Sequence, residues 1–223
     1  VGGQAYEWLA LYFPKNEHFH FWQFLSHMFM HDPGSITHIL FNMLALWMFG
    51  SPLEMTLGKN RFIFFYFSAG LGAAAIHTLV NYVEFNSLYN TVLQAGYSEA
   101  DIVELLQRGR YIPDLNVPVD TLRDLVNVYT TPAVGASGAL YGVLVAFGML
   151  FPNTALFLMF IPIPIKAKYF IPGLILMDLY AGFTGNSIFG SGIAHFAHIG
   201  GALFGFLMMW YWKRNSFNDK RWY

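Results

Sequence analysis

Cysteine is absent from this chain of 223 residues, which excludes a disulfide framework, a thiolate nucleophile and any Cys-based metal site. Charge is almost as scarce: only 11% of residues are Asp, Glu, Lys or Arg, against roughly 25% in soluble domains. The net charge is -1 and the basic residues are dispersed, so no patch suited to nucleic acid is present. No initiator Met or signal-like segment opens the chain at Val1, which predicts a fragment or a processed product, with a span expected upstream. Charge is wholly absent between Asp32 and Glu54, Arg61 and Glu84, Asp124 and Lys166, and Asp178 and Lys213.

What fills those gaps is apolar, 56% of the whole chain, and the gaps are long enough for helices crossing about 30 Å of hydrocarbon. Too little polar sequence remains to build a soluble shell around them. Residues 1–35 mix aromatic rings with His, Pro14, Pro33 and Gly34, the chemistry of an interfacial loop. Spans are predicted at 36–49, continuing toward 57, and at 62–83, joined by a turn carrying Gly58 and Asn60. Residues 84–131 regain charge and read as a soluble helical insertion. It should hold two short helices, N-capped by Ser98 and Asp120, on the membrane-side core.

A third span is expected at 134–151, and 155–163, too short to cross, should be re-entrant or interfacial. Spans at 169–183 and 193–212 follow, separated by a Gly-rich segment at 185–192. The fold class is therefore all-α, a polytopic membrane helical bundle with an extramembrane insertion, forming one domain over 1–223. Eight of the twelve basic residues (Lys59, Arg61, Lys166, Lys168, Lys213, Arg214, Lys220, Arg221) fall on one side. The positive-inside rule makes that side, with the C-terminus, cytoplasmic, and puts the insertion outside.

Polar groups inside spans are costly and mark candidate sites. Gly135-Ala136-Ser137-Gly138, with Tyr141 a turn later, is either a small-residue packing face with Gly142 or an accessible nucleophile. His198 lies beside Gly201 and Gly205, a small-xxx-small face. It is a base able to take the Ser137 proton, a structural histidine, or half of a metal site with His195. His38 and Asn42, at i and i+4, are paired donors suited to an oxyanion or polar links between helices. His27 and His31 are a further spaced pair, but no Glu accompanies them as a zinc hydrolase requires. A transporter would need a polar track through the bilayer, whereas Asp178 is the only acid well inside a span.

Together His-x-x-x-Asn, Gly-x-Ser-Gly and Ala-His-x-x-Gly-x-x-x-Gly, in that order, resemble the rhomboid family of intramembrane serine proteases over most of residues 20–212. The resemblance implies a six-span core, of which five are found here. It implies a catalytic dyad of Ser137 and His198 with no acidic third member, so Asp178 is left outside the site. His38, Asn42 and the Ser137 N–H would form the oxyanion hole. Tyr141 would fix the His198 ring, and Gly135, Gly138, Gly201 and Gly205 would support the site. Residues 6–35 would be the embedded first loop, in which Gln23 follows Trp22 where the family commonly has Arg. Residues 184–196 would cap a water-filled cavity.

The implied function is an intramembrane serine endopeptidase acting on a transmembrane protein substrate in the lipid bilayer, through an acyl-enzyme. No cofactor, metal or nucleic acid is called for, and the expected location is a bacterial inner membrane. The alternative is a rhomboid-like protein that binds clients without cutting them, against which stands the presence of both Ser137 and His198.

Overall fold

A computed structural model describes residues 2–108, 117–158, 161–185 and 194–215. Along the chain run α1 (Gly2–Leu9), α2 (Gln23–Ser26), α3 (Ile36–Ala45), α4 (Ser51–Leu57), α5 (Lys59–Gln94), α6 (Glu99–Arg108) and α7 (Val119–Thr130). Then come α8 (Ser137–Leu150), β1 (Ala155–Leu158), β2 (Ile161–Lys166), α9 (Ala167–Thr184) and α10 (His195–Asn215). The chain divides into two compact units, Val1–Ser26 with Thr78–Ala133, and His27–His77 with Val134–Tyr223.

In the first unit, α6, α7 and the end of α5 close over a core of their own that includes Phe13, Phe85, Ile102, Leu105 and Leu125. One correction is that 84–94 continues α5: with no Gly or Pro between Thr78 and Ala95, nothing stops the helix. It ends where Gly96 takes φ 107 and the Tyr97 N–H reaches back to the Val92 carbonyl, the pattern of a glycine C-cap. Ser98 caps α6 as expected: its Oγ accepts from the Asp101 N–H while the Asp101 carboxylate accepts the Ser98 N–H, a reciprocal cap. Asp120, expected as a cap, lies inside the first turn of α7 and pairs with Arg123 at 2.7 Å.

The aromatic N-terminal segment is knitted by Gln23, which is fully buried. Its Oε1 accepts from the Tyr12 and His20 N–H groups, and its Nε2 donates to the carbonyls of Glu7, Trp8 and His18. An uncharged amide can both donate and accept, which suits a loop whose backbone offers both kinds of group. Trp8, His20 and Trp22 stack as a ladder, and both tryptophans remain exposed, as amphipathic rings do at a membrane interface.

The second unit is built around α8, which is apolar on every side and buried from Gly138 to Phe147 except at Tyr141. It lies closest to α10, and the reason is an absence of side chains. A Cβ at Gly201 would overlap the Gly138 carbonyl, and one at Gly205 would stand 2.5 Å from the Gly142 Cα. The two backbones therefore touch, as small-residue faces allow in membrane helices. α3 runs through a π-turn at Leu46–Gly50 into α4, which stops at Gly58 with φ 80.

Two helical stretches among the described residues are long and apolar enough to cross a bilayer, Ile36–Leu57 and Lys59–Gln94. The predicted third span is shorter than read from the sequence, because α8 has only 14 residues. The all-α reading also needs correction at 155–166. Pro162 and Pro164 bar a helix there, and β1 pairs antiparallel with β2, Ala155 opposite Lys166 and Phe157 opposite Pro164, so this connection is extended and paired in place of helical. Most of the predicted cap, 186–193, lies outside the described residues.

Candidate active site

The candidate site belongs entirely to the second unit, and it begins with a glycine. Gly135 takes φ +116, and its N–H donates to the His27 carbonyl at 3.0 Å. Only glycine accepts that conformation without strain. A Cβ there would also stand 3.0 Å from His38 Nε2. The turn delivers Ser137 to the first position of α8, where the leading N–H groups have no partner within the helix.

Across the close contact of α8 and α10, Ser137 Oγ lies 2.8 Å from His198 Nε2. The His198 ring stacks on Tyr141 with centroids 4.2 Å apart and planes 9° from parallel, the packing expected of this pair. Gly138 and Gly201 make this distance possible by letting the two helices approach backbone to backbone.

The opposite edge of His198 does not match the expectation. Asp178, buried on α9, has Oδ1 3.2 Å from His198 Nδ1 and 2.5 Å from His195 Nδ1, and the Tyr141 hydroxyl donates to its Oδ2. The reading that left Asp178 outside the site is therefore corrected at the level of geometry: Ser137, His198 and Asp178 form one hydrogen-bonded line. An ionised carboxylate only accepts, so each imidazole facing it carries its proton on Nδ1. That leaves His198 Nε2 as the atom that accepts from the Ser137 hydroxyl.

Asp178, His195 and His198 also have metal-ligand spacing, their donor atoms lying within 4.8 Å of one another. The 2.5 Å between Asp178 and His195 is a hydrogen-bond distance, whereas two ligands each about 2.0–2.2 Å from one tetrahedral zinc stand more than 3 Å apart. The arrangement suits protons better than a cation. His27 and His31 share no helical face, since His27 opens a short 3-10 turn that ends at Phe29 and His31 lies beyond it.

His38 stands beside the serine turn. The Asp32 N–H donates to its Nδ1 at 3.3 Å, which puts the ring proton on Nε2, the atom that faces Gly135. Asn42 is buried and spends one amide N–H on the His38 carbonyl at 2.8 Å, so its second N–H is the one available for an oxyanion. Next to His38, the His31 ring packs edge-on at 5.4 Å with its Nε2 buried and without a hydrogen-bond partner. Burial first, and then the neighbouring His38, hold His31 below the ordinary imidazole value.

Sequence reasoning missed the Asp178 and His195 contacts and the anchoring by Gln23. The available signals were an acid in an apolar run, a second histidine three residues before His198, and an amide in an aromatic loop.

Comparison with known proteins gives the family. A sequence profile of the rhomboid domain matches residues 18–102 and 117–215. The presenilin-associated rhomboid-like protein of Bos taurus mitochondria is 30% identical over 178 residues, 79% of this chain and 34% of that protein. Rhomboid protease AarA of Providencia stuartii is 28% identical over 197 residues, 84% of this chain and 54% of that protein. The mitochondrial rhomboid protein 1 of Saccharomyces cerevisiae is 25% identical over 174 residues, 78% of this chain and 37% of that protein. The chain thus spans from about a third to just over half the length of these curated relatives.

Proposed function

Because this chain belongs to the rhomboid family, we propose that it is an intramembrane serine endopeptidase that cuts transmembrane protein substrates, with Ser137 as nucleophile and His198 as general base. The observation that carries the reading is the 2.8 Å contact between Ser137 Oγ and His198 Nε2. An isolated serine hydroxyl is a weak nucleophile at neutral pH, and a neutral imidazole within hydrogen-bond reach activates it.

In this mechanism the Ser137 proton passes to His198 Nε2 as Oγ bonds the scissile carbonyl carbon. The oxyanion is met by the Ser137 N–H, His38 Nε2–H and the second Asn42 N–H, donors aimed at charge that develops only in the transition state. His198 then gives its proton to the leaving amine, the C–N bond breaks, and an acyl-enzyme remains. Water repeats the sequence: its proton goes to Nε2, its oxygen bonds the acyl carbon, and the Oγ–C bond breaks as the proton returns to Ser137. The substrate helix, unwound near its outer end, enters beside α9. The C-terminus lies on the cytoplasmic side and 84–131 on the other, following the distribution of basic residues. Gly135, Gly138, Gly201 and Gly205 support the site through the turn and the helix contact they permit.

The test is cleavage of single-pass reporter substrates by the full-length protein in detergent, comparing wild type with Ser137→Ala and His198→Ala. Both variants should lose at least about 10³-fold in kcat. A folded wild type inert toward several reporters would instead favour the client-binding reading.

A further inference from the structure

The rhomboid resemblance supplies a serine and a histidine; the structure adds an acid. We propose that Asp178 is a positioning residue for the reaction, holding His198 in the tautomer that accepts the Ser137 proton and stabilising the imidazolium that forms. This deepens the serine-protease reading and rests on it.

Three donors converge on one buried carboxylate. His195 Nδ1 and His198 Nδ1 share Oδ1, and the Tyr141 hydroxyl takes Oδ2. Inside an apolar segment an acid is costly, and the three donors to its carboxylate explain how it is tolerated there. The direction of those bonds matters for chemistry. A neutral imidazole carries one proton, and the acid keeps it on Nδ1, so the lone pair of Nε2 faces Ser137 Oγ at 2.8 Å. Without the acid both tautomers are open to His198, and the wrong one puts a proton where a lone pair is needed.

Tyr141 links the two halves of the device. Its ring lies flat on His198 and its hydroxyl is on Asp178, so one side chain holds the base and the acid in register. His195, at i−3 from His198 on α10, takes the same oxygen and keeps the carboxylate from turning away. Neither Asp178 nor His195 touches the reacting atoms. Both act through His198.

The experiment compares wild type, Asp178→Asn, Tyr141→Phe and the double variant in proteoliposomes, reading reporter cleavage and the rate at which a fluorophosphonate probe labels Ser137. Asp178→Asn keeps the shape of the side chain while removing its charge. It should lower kcat by roughly 10²- to 10⁴-fold, the scale seen when the acid behind a catalytic histidine is neutralised. KM should stay within about threefold, and labelling should slow in step with kcat. Tyr141→Phe should lower kcat by about three- to tenfold with Asp178 present and have no further effect on Asp178→Asn, because groups acting as one unit are not additive.

If Asp178→Asn does not fold, Tyr141→Phe and His195→Asn decide in its place, and normal labelling in both overturns the proposal. Cleavage by Asp178→Asn within threefold of wild-type kcat, with His198→Ala inactive, overturns the role of Asp178 and leaves the protease reading intact. An equal loss that appears in KM alone also overturns it, since that is the signature of lost binding. A wild type that neither cleaves nor labels sinks the protease reading and this inference with it.

Discussion

The two units of this chain hold their helices together by opposite means. In the first, α6 and α7 meet the end of α5 through large side chains: Ile102, Leu105 and Leu125 are essentially inaccessible, and Phe13 packs at a tilt against Phe85 with ring centroids 4.7 Å apart. In the second, α8 and α10 meet through glycines, so that main chain touches main chain. The difference follows from what each device can achieve. Burying large apolar groups away from water drives association without fixing distances closely. Between helices whose outer faces are apolar, that drive is weak, and close packing and polar contacts take over. A glycine contact sets the separation of two backbones tightly, which suits a pair that must bring a hydroxyl and an imidazole to 2.8 Å.

The sharpest way to break this comparison is Gly201→Leu. With the Gly138 carbonyl already filling the space of a Cβ, and backbone unable to yield as a side chain can, the α8–α10 pair should come apart. The protein should be recovered largely unfolded by size exclusion and thermal melting in detergent, with no probe labelling of Ser137; a well-folded Gly201→Leu would show that glycine is not what sets the spacing. Next in size, Ile102→Ala should cost about 2–5 kcal/mol in the first unit, the range for emptying a buried aliphatic site. Hydrogen exchange in α6 should accelerate accordingly. Unchanged protection there would mean that the cluster contributes little.

The smallest effect concerns the start of α6. Hydrogen bonds from the Ser98 hydroxyl, then from the Ser98 N–H, hold the Asp101 carboxyl below its ordinary 3.8. A depressed folded value stabilises the native state fully above the unfolded value and loses that contribution as pH falls through the folded one. The amides of the first turn of α6 should therefore exchange faster, relative to the rest of the helix, as pH drops below about 3.8. Ser98→Ala should remove that pH dependence. An identical pH response in the variant would assign it to other groups.

These elements also show how far the sequence could be read. Ser137, His198, His38 and Asn42 were legible because each interrupts an apolar run at a spacing with a chemical meaning. The Ser98 cap was legible because a cap is local, closed within four residues. The hairpin at 155–166 was missed for a different reason: a short apolar run has no period long enough to separate strand from buried connection. The continuation of α5 past Val83 was missed because a change from apolar to charged composition marks a change of surroundings and not of backbone conformation.

Composition and charge gaps determined by themselves that this chain is largely helical and suited to a membrane, since the cost of burying charge leaves few alternatives over such runs. The three spaced motifs determined the family. Which edge of His198 meets an acid, and which residue knits the first loop, was decided only by the tertiary structure. α8, α9 and α10 are apolar on nearly every side, so no stripe in their sequences marks the face that turns inward. Rotation and depth are set by the glycine contact between α8 and α10. In the folded helix group Asp178 on α9 meets Tyr141 on α8 and His195 on α10 within hydrogen-bond distance.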